Sequence, residues 1–185
     1  MEPIEKLRAG DADAIDWLVD TYSDRLLKTA TVILGDRYAA EDVVQESLVD
    51  AVRSLPNFRG DASVYTWLYA ILIRRCRRRQ RQLARQRLQY LPRMVLDRLR
   101  LQQGEYVQVL NFDERLTLRS AIRNLPFKYR ELIVLFYYEE LSIKELSHLL
   151  KLPEGTVKNR LHRARALLRT LLREEGKCGR EEAIR

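Results

Sequence analysis

The chain has 185 residues, with 34 Lys+Arg against 26 Asp+Glu and a formal net charge of +8. Its 46% hydrophobic content is enough to bury a core, which excludes wholesale disorder. No apolar run approaches the roughly 20 residues that span a bilayer, and Cys76 and Cys178 stand alone, with neither CxxC spacing nor a histidine cluster, so no disulfide framework or zinc site is indicated.

The length allows one large domain or two small ones. The positive balance favours a polyanion as partner, because neutralised phosphates release condensed counterions; a membrane surface is also compatible with it. The opening stretch "MEPIEKLRAGDADAID" is acidic and lacks the apolar core of a signal peptide, so a cytoplasmic location is expected.

Glycine and proline are scarce, 7 and 5, and apolar residues recur every three or four positions. That periodicity predicts an all-α protein. Helices are expected near 3–9, 11–34, 38–54, 61–88, 112–124, 127–139, 142–150 and 154–174. Breaks fall at Gly10, Gly35, "LPNFRGD" (55–61), Pro126 and "KLPEG" (151–155).

The first informative element is "AAEDVVQESLVDAV" (39–52). Val43, Val44, Leu48 and Val52 are placed to pack inward, leaving Glu41, Asp42, Gln45, Glu46 and Asp50 on the other face. Carboxylates alone, without histidine or a third ligand cluster, do not make an acid–base pair or a metal site. The face reads either as solvated surface or as a docking surface for a basic partner.

Next comes "NFRGDASVYTWLY" (57–69). Gly60 and Asp61 mark a loop and an N-cap, and Tyr65, Trp67 and Tyr69 follow at alternate positions. Three aromatics so spaced on a helix cannot all face one side. Some are expected outside, where rings can stack unpaired bases at about 1–3 kcal/mol each; the alternative is that they are core.

The same helix runs on into "RRCRRRQRQLARQR" (74–87), in which eight of fourteen residues are arginine and none is acidic. Trp67, Ile71, Arg74 and Arg78 share one stripe, so an aromatic surface turns cationic within two turns. A solvated face is the alternative, but with no acid in the run the arginines are expected to need a polyanion against them. Residues 90–112, with Pro92 and Gly104, read as a linker between two domains, although "RMVLDRLRL" could form a short helix.

The C-terminal half holds the clearest local pattern, "LSIKELSHLLKLPEGTVKNRLHRARALLRTLL". Ser142 and Glu145 are spaced as a capping box. After the turn, Val157, Leu161, Ala164, Leu168 and Leu171 form an apolar stripe, so Asn159, His162 and Arg163 point away from it with Lys158 and Arg160 on the flanks. This is the arrangement of a helix-turn-helix whose second helix reads a major groove. A plain helical hairpin with a charged face is the alternative, weakened by the lack of any acid on this helix between Glu154 and Glu174.

Taken in order, these segments resemble the extracytoplasmic-function (group 4) sigma factors of bacterial RNA polymerase. "AAEDVVQES" is similar to the acidic signature of region 2.1–2.2, "FRGDASVYTWLYAI" to regions 2.3–2.4, and "LPFKYRELIVLFYYEELSIKELSHLLKLPEGTVKNRLHRARALLR" to region 4. The resemblance implies two small helical domains: region 2 over 1–89 and region 4 over 113–175, followed by a tail at 176–185. It implies that Asp42, Gln45 and Glu46 dock on the β′ clamp helices of core polymerase, with the β flap as a further contact. It implies a −10 single-strand surface of Asn57, Phe58, Arg59, Asp61, Ser63, Tyr65, Trp67, Arg74 and Arg78. A −35 surface of Thr156, Lys158, Asn159, Arg160, His162 and Arg163 is implied in the same way.

An anti-sigma factor is the implied regulator; no metal, cofactor or catalytic residue is implied, since nucleotidyl transfer belongs to the polymerase. The chain departs from the family pattern at Arg74, where Asn is common, and near Arg78, where Asp or Asn is frequent. Two cations there imply more phosphate contact and less base reading. A stand-alone helix-turn-helix regulator would leave the acidic and aromatic–arginine helices without a task, and an enzyme would lack a nucleophile–base set.

Overall fold

The computed structural model describes residues 4–89 and 118–181, and every described element is helical. The expected linker at 90–112, with its possible short helix, lies outside the described residues. The chain divides into two compact units, one built chiefly from its first 83 residues and the other chiefly from the C-terminal half.

In the first unit, α1 (Ile4–Arg8) leads through a turn to α2 (Ala12–Leu34), whose N-cap Asp11 accepts a hydrogen bond from the Ala14 amide at 3.0 Å. Gly35 ends α2 in the left-handed conformation, φ 74°, with its amide donating to the Thr31 carbonyl. Asp36 at once caps α3 (Arg37–Ser54) by accepting from Tyr38 and Ala39 amides. The antiparallel α2–α3 pair buries Leu18, Leu26, Ala30 and Ile33 on one side and Ala40, Val43, Val44 and Ala51 on the other. A short 3₁₀ turn (Leu55–Asn57) and a loop lead to α4 (Val64–Gln89).

The cap of α4 differs from expectation. Ser63, not Asp61, occupies that position: its hydroxyl accepts from the Thr66 amide at 3.0 Å, and its carbonyl accepts from Trp67 N–H. Gly60 does serve the loop, at φ 80°. From Val64 to Cys76 α4 is core, with Val64, Leu68, Tyr69, Leu72, Ile73 and Cys76 all nearly inaccessible.

The second unit comprises α5 (Leu118–Asn124), α6 (Phe127–Ile133), α7 (Ile143–Leu150) and α8 (Glu154–Glu181). The expected continuous helix 127–139 is interrupted: Val134–Tyr138 form a π turn, closed by the Glu139 amide on the Val134 carbonyl at 3.2 Å. The extra residue in that turn leaves Tyr137 and Tyr138 outside and carries Glu139 inward. Arg130, fully buried, donates to the Leu125 carbonyl at 3.0 Å; burial and the nearby Arg123 pull its pKa down to about 10, so it stays charged.

The capping box forms as expected. Ser142 N–H donates to Glu145 Oε2 at 2.8 Å, and Glu145 N–H returns a bond to the Ser142 hydroxyl. The turn after α7 is a Schellman motif: Leu152 N–H reaches the Ser147 carbonyl and Lys151 N–H the His148 carbonyl. Its left-handed residue is Lys151, φ 54°; Gly155, which looked like the turn glycine, lies inside α8. The last helix also overruns expectation. It continues to Glu181 where a frayed tail was expected, because no proline intervenes and a helical glycine costs only about 1 kcal/mol.

A lysine in the left-handed region carries a steric cost that glycine avoids. Lys151→Gly is therefore expected to stabilise the C-terminal unit by about 0.5–1 kcal/mol, read as a higher midpoint in urea or thermal unfolding. A lower midpoint would mean that side-chain contacts of Lys151 outweigh its backbone strain.

Candidate functional site

The acidic face of α3 does not stand free in solvent. Asp42, Glu46 and Asp50 succeed one another at intervals of four, so they line one side of the helix, and the arginine half of α4 lies across from them. Arg75 donates Nε to Asp50 Oδ2 at 2.6 Å and Nη1 to Glu46 Oε2 at 2.6 Å. Arg79 lies 3.8 Å from Asp42. Hydrogen bonding to Asp50 is the main cause holding the Arg75 guanidinium above its ordinary pKa, against the opposing effect of burial.

These pairs edge a groove of about 270 Å³ lined by Asp42, Gln45, Glu46, Arg75, Arg78 and Arg79, together with Val43 and Gln82. The three residues expected to dock a partner, Asp42, Gln45 and Glu46, are therefore together and exposed. Glu46 keeps 58% of its side chain open while bonded to Arg75. The expectation that the arginine run is opposed only by an external polyanion is corrected: α3 supplies carboxylates to two of its members. The signal was present as Asp42/Glu46/Asp50 and Arg75/Arg79 at four-residue spacing, but nothing local paired the two helices.

The aromatic surface is a graded one. Tyr69 is fully buried, its hydroxyl 3.3 Å from that of Thr29, whereas Tyr65 and Trp67 are half-buried. Tyr65 lies between Tyr69, at 4.5 Å between ring centroids, and the Arg25 guanidinium, 4.7 Å from its ring. Phe58 was expected to face a strand. Its ring is instead 7% exposed and packs on Trp67 at 4.9 Å, so it supports Trp67 from beneath, with Arg8 at 5.9 Å on it.

The remaining loop residues Asn57, Arg59, Asp61 and Ser63 are exposed around Gly60. Arg74 and Arg78 are both exposed on α4. Arg25 and Arg8 come from α2 and α1, distant in sequence, and sequence reading had no means to place them here.

In the second unit the stripe of α8 is inside, with Val157, Leu161 and Ala164 buried and Leu168 and Leu171 half-buried. Lys158, Asn159, His162 and Arg163 are exposed, while Thr156 and Arg160 are half-buried at the edges. The helix thus offers solvent a polar, cationic face over its first turns. Such a face suits phosphates and base edges.

Comparison with known proteins agrees. Residues 18–86 match the family described as Sigma-70 region 2, and residues 115–168 match Sigma-70, region 4. The ECF RNA polymerase sigma factor SigW of Bacillus subtilis is 32% identical over 182 residues, covering 92% of this chain and 95% of its own. The chain is an ECF RNA polymerase sigma factor of the sigma-70 family.

A second relative, the RNA polymerase sigma-H factor of Pseudomonas aeruginosa, is 31% identical, with 92% of this chain and 94% of its own covered. Among solved structures, sigma factor RpoE of Bartonella quintana, in complex with the anti-sigma factor NepR, shares the fold at a TM-score of 0.65 and 21% identity, over 85% of this chain and 96% of that one. The sigma factor binds core RNA polymerase and directs promoter-specific initiation; it has no catalysis of its own. Among the described residues no helix is long and apolar enough to cross a membrane.

The Arg75 bridge is partly exposed and so contributes modestly. Arg75→Gln is expected to lower the stability of the sigma factor's N-terminal unit by about 0.5–1 kcal/mol, measured as a shift in the unfolding midpoint. The difference from wild type should shrink as salt rises towards 1 M. A difference indifferent to salt would show packing, not charge, to be what Arg75 contributes.

Proposed function

We propose that the sigma factor divides its work among three surfaces. Asp42, Gln45 and Glu46 on α3 dock the β′ clamp helices of core polymerase. The loop of Asn57, Arg59, Asp61 and Ser63, with Tyr65, Trp67 and Arg74 behind it, holds the displaced strand of the −10 element. The start of α8 reads the −35 element in the major groove through Lys158, Asn159, Arg160, His162 and Arg163, with Thr156 at its edge. The observation that carries the reading is the polar face of α8 set directly over its buried Val157–Leu161–Ala164 spine.

The chemistry of each surface suits its task. Asn159 and Arg163 bear the side chains that make bidentate contacts with adenine and guanine, and Lys158 and Arg160 flank them for phosphates. Removing bases from the stack costs a few kcal/mol per base. Half-exposed rings of Tyr65 and Trp67, firmly backed by Phe58 and Tyr69, offset that cost by stacking, and Arg74 meets the backbone charge.

The domain limits 1–89 and 113–175 follow from the same reading, and the β flap is the contact for the C-terminal unit. The anti-sigma complex of RpoE supports an anti-sigma factor as regulator here too. The cytoplasm, where polymerase works, is the corresponding location.

Run-off transcription reconstituted with core polymerase on a promoter pool tests the whole reading, and failure to select any promoter would sink it. Glu46→Lys would set a second cation against Arg75, so Glu46→Gln is the cleaner variant. It should weaken core binding about fivefold, or ~1 kcal/mol, with unfolding little changed; wild-type affinity would remove Glu46 from the docking surface. Arg163→Ala should cost about 1–3 kcal/mol of −35 discrimination, measured as the affinity ratio between cognate and single-base-substituted promoters. An unaltered ratio would show that Arg163 does not read a base.

A further inference from the structure

The groove between α3 and α4 is electrically balanced. Asp42 and Glu46 on its wall, with Asp50 beneath them as the second acceptor for Arg75, oppose Arg75, Arg78 and Arg79. Arg75 is committed to Glu46 and Asp50, and Arg79 lies 3.8 Å from Asp42, a loose ion pair that leaves its buried Nε without a hydrogen bond. Arg78 is different. It is exposed, it lines the groove, and among the described residues it makes no ion pair or hydrogen bond.

We infer that the groove takes a protein helix of mixed charge, one that sets a carboxylate against Arg78 and a cation against the outward oxygens of Asp42 and Glu46. Arg78 then belongs to the core-polymerase interface and not to the promoter strand. The inference rests on the docking role of α3 proposed above.

A purely basic partner would bury Arg78 against like charge, which costs several kcal/mol. A nucleic-acid strand entering the same groove would meet the carboxylates of Asp42 and Glu46, a repulsion that Arg74, outside the groove lining, does not share. The volume of about 270 Å³ falls just below the roughly 300–1,000 Å³ of small-molecule sites and suits a few side chains projecting from a helix laid along it.

The test uses the full chain and core polymerase, with Arg78→Glu and the milder Arg78→Gln. Core affinity is measured by competition, and the salt dependence of promoter binding is measured at saturating core. Core affinity is expected to fall about tenfold for the reversal and about threefold for Arg78→Gln, with the promoter salt slope unchanged. The exposed position of Arg78 means thermal unfolding of both variants should match wild type, and Arg78→Gln decides the matter if the reversal does not fold.

Wild-type core affinity overturns the inference. So does a salt slope reduced by about one, the signature of a lost phosphate contact, whatever the core affinity. Glu46→Gln measured alongside separates the failures: if it too leaves core binding intact, the docking surface itself is wrong. If it weakens binding while Arg78 variants do not, only the mixed-charge partner is lost.

Discussion

Burial of α4 from Val64 to Cys76 governs the N-terminal unit. Over those residues the helix supplies Leu68, Tyr69, Leu72 and Ile73 to the core, and beyond them no described position is buried. At roughly 25 cal/mol per Å² of apolar surface, the first half is fixed by the hydrophobic effect and the second is carried along as a rigid extension. A helix does not kink sharply without a proline, a bulge or an inserted group, and α4 runs unbroken to Gln89. The arginines therefore emerge beside α3, whose own position is set by packing on α2.

That placement explains how so many like charges can occupy one helix. Arg75 and Arg79 are met by carboxylates from α3, which lowers the mutual repulsion without an external anion. The same pairing changes what α3 offers to a partner. An acidic strip alone would attract any basic surface at long range; a strip whose charges are already paired acts only at contact, where geometry decides. Selectivity is gained and steering is lost.

Much of this was legible in the sequence, for identifiable reasons. The helical class and the order of the helices followed from apolar spacing, though several ends did not, and the Ser142–Glu145 box followed from a local rule and forms as expected. The outward polar face of α8 was legible because one stripe, Val157–Leu161–Ala164, dictates what points the other way. What failed was either non-local or a matter of backbone detail. The pairing of Arg75 with Asp50 and the placing of Arg25 over Tyr65 join residues from different helices, and the burial of Phe58 packs a loop residue on α4, none of which periodicity can connect. The left-handed residue at Lys151 carried no local signal, since the glycine of KLPEG comes four residues later, inside α8. The π turn at Val134–Tyr138 left the apolar pattern intact while shifting its phase.

The surfaces proposed for the displaced strand and for docking share a single helix. Trp67 and Arg78 are eleven residues apart on α4, about 16 Å at 1.5 Å per residue, with buried Leu68, Leu72, Ile73 and Cys76 between them. Neither end can rotate about the helix axis without the other. A partner that engages the groove through Arg78 and Glu46 thereby fixes the azimuth of Trp67 and Tyr65, with no hinge to absorb error. The rings are held in turn by Phe58 and Tyr69 beneath, so little orientational freedom remains to be lost when a base stacks on them. Pre-organisation of this kind lowers the entropic cost of binding, and it arises here from the continuity of one helix through a core.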